Sequence, residues 1–138
     1  IESVLMTNIA GVFFTVRSFL PHLLEPADGD NHPSGMNGKI AVISSIMGSQ
    51  ERASSNAPIY RASKAGATNI ARTLAIELAP RRVAVGAYHP GWVRTDMGGG
   101  AADVGPADSA AGLLARFDAL DLATTGIYES YRGEPLPF

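Results

Sequence analysis

Apolar side chains fall at Ile1, Leu5, Ile9, Val12, Phe13, Val16, Phe19 and Leu20. Steps of three and four residues put them on one broad helical face, which predicts a helix over residues 1–25. Pro21 would kink this helix or open a second short one. The stretch from Pro26 to Gly38 is crowded with Pro, Gly, Asp and Asn and predicts a surface loop. Ile40-Ala41-Val42-Ile43 is a short continuous apolar run closed by Ser44-Ser45, the pattern of a strand covered on both faces in a parallel sheet. Gly48 to Asn56 is polar and expected to be a mobile connection. Asn56 is the expected N-cap of the next helix, with Pro58 in its first turn. That helix runs over 57–79, with Ile59, Ala62, Gly66, Ile70, Leu74 and Leu78 on one face, and Pro80 stops it. Val83 to Tyr88 predicts a second buried strand, ended by Pro90-Gly91, and Gly98-Gly99-Gly100 a flexible break. A third helix is expected from Ala107 to Leu120, with Pro106 near its start and Asp108 in the first turn, where a carboxylate complements the helix dipole. Gly126 to Tyr131 reads as a last strand and Arg132-Gly133-Glu134 as a turn. Alternating helix and strand argue for an α/β fold with a parallel sheet.

Composition narrows the picture. The 138 residues suffice for one domain, 1–138, and with 46% hydrophobic and 17% charged residues the chain can build a core. A formal net charge of -2 without any basic run argues against nucleic acid or an anionic membrane as partner. There is no cysteine, which excludes disulfide and thiolate chemistry and fits a reducing compartment. No uninterrupted apolar run approaches the roughly 20 residues of a membrane span, and the first residues do not resemble a signal peptide. A cytoplasmic location is expected. The chain opens at Ile1, without an initiator Met and in what reads as mid-helix, so it is expected to be a fragment.

Candidate chemistry centres on Tyr60 and Lys64. Four apart on a helix, they share a face. An ammonium close to a phenol stabilises the phenolate, which makes such a pair a proton-transfer group usable near neutral pH. Ser45 follows the first strand, and ligands of open α/β sheets sit just beyond the carboxyl ends of strands. A hydroxyl there can hold a substrate carbonyl and the alkoxide that develops from it; Ser44 would point to the other side. Asn8 is an amide on an otherwise apolar helix face and needs partners if buried. Pro90-Gly91-Trp92-Val93-Arg94-Thr95-Asp96-Met97 follows the second strand, where Gly91 permits close backbone approach and Thr95 offers a hydroxyl. Each spacing alone is common in helices and turns.

Taken in order, Asn8, Gly38, Ser44-Ser45, Tyr60-Arg61-Ala62-Ser63-Lys64-Ala65-Gly66 and Pro90 to Met97 resemble the short-chain dehydrogenase/reductase family, over about residues 1–133. Tyr60 to Lys64, His89 to Gly99, and the ending Gly126-Ile127-Tyr128 with Gly133 to Pro137 are most similar to the Sniffer and C-factor type of carbonyl reductase. The resemblance implies a Rossmann-like doubly wound sheet and NAD(P)-dependent hydride transfer between nicotinamide and a carbonyl or alcohol, with NADP(H) slightly favoured. It implies Tyr60 as general acid in reduction and general base in oxidation. Lys64 would assist Tyr60 and bind the nicotinamide ribose, Ser45 would orient the carbonyl, and Asn8 would hold a water linking Lys64 to solvent. Pro90, Gly91 and the main chain of Val93 would meet the nicotinamide, and Thr95 the phosphate side. It also implies a homo-oligomer through the helices 1–25 and 57–79, acting on a small-molecule carbonyl or alcohol.

The chain departs from the family pattern in one respect. It contains no Gly-x-x-x-Gly-x-Gly turn and no Asn-Asn-Ala-Gly run, and Gly98 to Gly100 does not join a predicted strand directly to a helix. It therefore reads as the carboxyl-terminal half of the doubly wound domain, with an exposed strand edge and poor stability expected. A non-catalytic binding or assembly module derived from this fold is the alternative. A metal hydrolase is disfavoured because His22, His32 and His89 lack ligand spacing. Epimerases of the related extended family share Tyr-x-x-x-Lys but carry a further carboxyl-terminal domain.

Overall fold

The computed structural model describes residues 1–24 and 35–138. The expected loop from Pro26, up to residue 34, lies outside the described residues, and so do Glu25 and His32. The remaining element order is helix, strand, helix, strand, helix, strand. The helical segments α1 (Glu2–Leu5) and α2 (Gly11–Leu24) are joined by a π-helical turn (Met6–Ala10) into one continuous helix, Glu2–Leu24. The irregularity thus falls at the π turn, and Pro21 lies inside the helix without ending it. Thr7, Asn8, Thr15, Arg17 and Ser18 interrupt its apolar run. By length and composition it nevertheless passes as a membrane span, which the absence of a long apolar stretch did not anticipate. In the fold, Val12, Val16, Leu20, Leu23 and Leu24 pack on the core.

Strands β1 (Gly38–Ile43), β2 (Val83–His89) and β3 (Tyr128–Ser130) form a parallel sheet in the order β1-β2-β3. The register sets Ile43 beside Tyr88 and Tyr88 beside Glu129. β2 is central and buried along nearly its whole length, as an uninterrupted apolar run requires. β1 is an edge and departs from the expected pattern. Val42 is buried, but Lys39, Ala41 and Ile43 are exposed, because among the described residues no element covers that face of β1. Lys39 bonds the carboxyl end of α4 (Pro106–Ala119), donating to the carbonyls of Phe117 at 3.0 Å and Asp118 at 2.8 Å, where a cation complements the helix dipole. β3 is shorter than the predicted strand.

Helix α3 (Pro58–Leu78) covers one face of the sheet. Its buried side chains are Ser63, Ala67, Thr68, Ala71, Leu74, Ala75 and Leu78. The predicted stripe holds at Leu74 and Leu78 but is displaced earlier in the helix: Ala62 is exposed, and Ile59, Gly66 and Ile70 are only partly buried. Small residues at 67, 71 and 75 let the helix lie close on Val83, Val85 and Ala87. Gly66 meets the first helix instead, where a Cβ would stand 2.8 Å from Ile9 Cδ1. Ala57, not Asn56, is the N-cap; it is left-handed at φ 49 and makes no side-chain cap bond. The Asn56 side chain is occupied by Arg61, whose Nε and Nη2 donate to Asn56 Oδ1 at 3.2 and 3.0 Å.

Candidate active site

Because β1 and β2 are parallel neighbours, the segments leaving their carboxyl ends lie side by side. The first carries Ser45 into a short 3-10 turn (Ile46–Gly48). The second is Pro90 to Gly98. Together with the start of α3 they line a cleft of about 480 Å³. Ser44, Ser45, Tyr60, Pro90, Gly91, Val93 and Thr95 all contribute to its wall. So do residues that the sequence reading did not assign to the site: Ile46, Met47, Ala57, His89, Trp92, Met97 and Gly98. Most of these are neighbours of assigned residues at strand ends, and that position was the available signal.

The predicted site residues are brought together with different partners. Ser45 Oγ accepts from the Met47 amide at 3.1 Å, so its own proton remains for an acceptor in the cleft. Lys64 Nζ donates to the Ile43 carbonyl at 3.1 Å and lies 5.8 Å from the centre of the Tyr60 ring. Burial holds the Lys64 ammonium below the usual lysine pKa. Asn8 sits in the π turn, and its Nδ2 donates to Ser63 Oγ at 3.0 Å. Ser63 Oγ in turn donates to the Tyr60 carbonyl at 2.7 Å. Asn8 is thus tied to the turn of α3 that bears Tyr60, a partner that spacing alone did not reveal. Ser44 Oγ turns toward α3, bonding Thr68 Oγ1 at 2.6 Å and the Lys64 carbonyl at 3.2 Å.

The segment 48–56, expected to be mobile, is anchored at its start. Gly48 and Ser49 are buried, and the Glu51 amide donates to the Phe138 carbonyl at 3.1 Å. Gly48 is required there, because a Cβ would lie 2.8 Å from the Lys64 carbonyl carbon. After β2, Gly91 adopts φ 86. Trp92 and Arg94 pair with Val104 through their main chains, at 3.1 Å and 2.8 Å. Alternation along an extended segment therefore turns the Val93 amide away from Val104. Gly98, expected to lie in a flexible break, closes a tight turn: its amide donates to Thr95 Oγ1 at 3.2 Å, and its carbonyl accepts from Trp92 Nε1 at 2.9 Å. His89, noted in the sequence for its lack of metal-ligand spacing, lines the cleft; burial lowers its pKa, and its Nδ1 has no hydrogen-bond partner among the described residues.

The family model described as short chain dehydrogenase matches residues 1–103. The C-signal protein of Myxococcus xanthus is 32% identical over 126 residues, covering 91% of this chain and 76% of that protein. Among solved structures, the carbonyl reductase Sniffer of D. melanogaster superposes with a TM-score of 0.89 at 30% identity, covering 97% of this chain and 55% of the other. An NADPH-bound carbonyl reductase from chicken fatty liver superposes at 0.87 with 28% identity, covering 99% and 56%. The chain thus spans about half the length of these solved relatives, as the carboxyl-terminal part of a Rossmann-like doubly wound domain.

Proposed function

The chain belongs to the short-chain dehydrogenase family, and from that premise we propose that it supplies the catalytic half of an NADP(H)-dependent carbonyl reductase. The observation that carries this reading is the single cleft that gathers Ser45, Tyr60 and the segment 90–98, with Lys64 one helical turn beyond Tyr60. Tyr60 gives a proton to the carbonyl oxygen during reduction and takes it back during oxidation. Ser45 donates its remaining proton to that oxygen as negative charge develops on it. Lys64, its Nζ 5.8 Å from the centre of the Tyr60 ring, assists that proton transfer and meets the nicotinamide ribose. Asn8, with Nδ2 committed to Ser63, offers Oδ1 to a water on the path from Lys64 to solvent. Pro90, Gly91 and the Val93 amide fit the carboxamide end of a nicotinamide, and Thr95 the phosphate side. The pyrophosphate end has no matching Gly-rich turn in this chain. The nicotinamide, when bound, supplies or takes the hydride. Ile46, Met47, Trp92 and Met97 make much of the cleft wall apolar, which favours apolar carbonyl compounds over small charged ones. The same reading pairs two copies through the helices Glu2–Leu24 and Pro58–Leu78, where Phe13, Phe14, Phe19 and Ile76 stand exposed, and places the protein in the cytoplasm.

The test is NADPH-dependent carbonyl reduction by the wild type and by Tyr60→Phe. Loss of the proton donor is expected to lower kcat by about 10²–10⁴-fold; an undiminished rate would remove Tyr60 from this role. A second reading is an assembly module without catalysis, docking through the exposed Phe13, Phe14, Phe19 and Ile76. Trp92 is the chain's one tryptophan and lines the cleft, so its fluorescence reports nucleotide entry directly. Quenching by NADPH at micromolar concentration favours the reductase, and an unchanged signal favours the module.

A further inference from the structure

A cluster of buried hydroxyls lies beneath the cleft and takes no part in the proton transfers described above. Ser44, Thr68 and Tyr128 are 2%, 4% and 2% exposed. They come from the end of β1, the middle of α3 and the start of β3. The Lys64 carbonyl can only accept, so the single Ser44 proton goes to it, and Thr68 donates to Ser44. Tyr128 donates its phenolic proton to the Ser45 carbonyl. Burial raises the Tyr128 pKa, so the proton stays on the donor. Two of these bonds end on the main chain of residues assigned to the chemistry, Lys64 and Ser45. Ser45 lies beyond the last ladder residue of β1, so the sheet does not fix its carbonyl. Tyr128 does so from the far strand, and its ring packs against Phe138 at 5.6 Å, beside the tail that also holds Glu51.

We propose that Tyr128 is a positioning residue: by donating to the Ser45 carbonyl it aims the Ser45 hydroxyl into the cleft, while Ser44 and Thr68 hold the Lys64 main chain in the same frame. This rests on the reading of Ser45 as the group that orients the substrate carbonyl. The experiment is a double-mutant cycle of Tyr128→Phe and Ser45→Ala, measured as kcat and KM for carbonyl reduction in the form of the protein that turns over NADPH. Tyr128→Phe keeps the ring and removes only the hydroxyl, with its bond to the Ser45 carbonyl and its contacts with Ser44 and Thr68. It is expected to lower kcat about three- to tenfold, with KM for NADPH unchanged, in the wild-type background. In the Ser45→Ala background it is expected to change nothing further. Equal losses in both backgrounds, which a purely structural role would give, overturn the proposal, as does an unchanged kcat for Tyr128→Phe where Ser45→Ala is impaired. If Ser45→Ala itself leaves the rate intact, the underlying assignment of Ser45 fails, and the role of Tyr128 fails with it.

Discussion

Glu129 lies in the middle of β3, 6% exposed, and among the described residues nothing hydrogen-bonds its side chain. It borders a small cavity with Tyr88 and Arg116. Burial raises its pKa above the usual carboxylate value, against the opposing pull of Arg116. Burial also pushes the Tyr88 phenol up to about 12, with the Glu129 charge adding to the rise. In the interval between its unfolded and folded pKa values, Glu129 is protonated when folded and ionised when unfolded. Stability therefore falls as pH rises through that interval and stays lower above it. Glu129→Gln removes the charge and keeps the shape. It is expected to raise stability at pH 8 and to make little difference at pH 4, read from urea midpoints across that range. A variant that loses stability at pH 8 would show that the carboxylate has a favourable partner. No spacing rule flagged this residue, because a carboxylate in a three-residue strand looks solvated until the covering helix is known.

At the scale of elements, packing distances decide which glycines matter. Gly48 and Gly66 both sit where a Cβ would stand 2.8 Å from a neighbour. For Gly66 the neighbour is the end of the Ile9 side chain, which can turn aside. For Gly48 it is the Lys64 main chain, in mid-helix, which cannot. Gly48→Ala is expected to cost about 1–3 kcal/mol by overpacking and to slow hydride transfer by shifting Lys64. Gly66→Ala should cost clearly less. Thermal melts of the two variants together with NADPH turnover check the order; a reversed order would mean that the turn after Ser45 yields more easily than the helix pair. The elements themselves were largely legible in the sequence. Periodicity located the three helical regions and three strands within a few residues. It misjudged the cap at Asn56, because Arg61 takes that side chain, and the buried face of α3, because helix and sheet compete for it.

For the whole molecule, the decisive feature is the open side of β1. Its outer edge and the first helix border a groove lined by Gly11, Val12, Val16, Ile40 and Val42, and the same helix exposes Phe13, Phe14 and Phe19. Unpaired strand edges and apolar patches favour association. A purified monomer is therefore expected to lack a sharp cooperative melt, and stable material to elute as an assembly, checked by circular dichroism with light scattering. A monomer with a steep transition would count against this. The sequence by itself determined the alternation of elements, the family and the order of Asn8, Ser45, Tyr60, Lys64 and the Pro90 to Met97 segment. Those rest on local periodicity and on motifs, which need no knowledge of contacts. Only the tertiary structure decided that Asn8 bonds Ser63 and that Tyr128 reaches the Ser45 carbonyl from the far strand. These join residues tens of positions apart, and such pairings are set by how the elements pack.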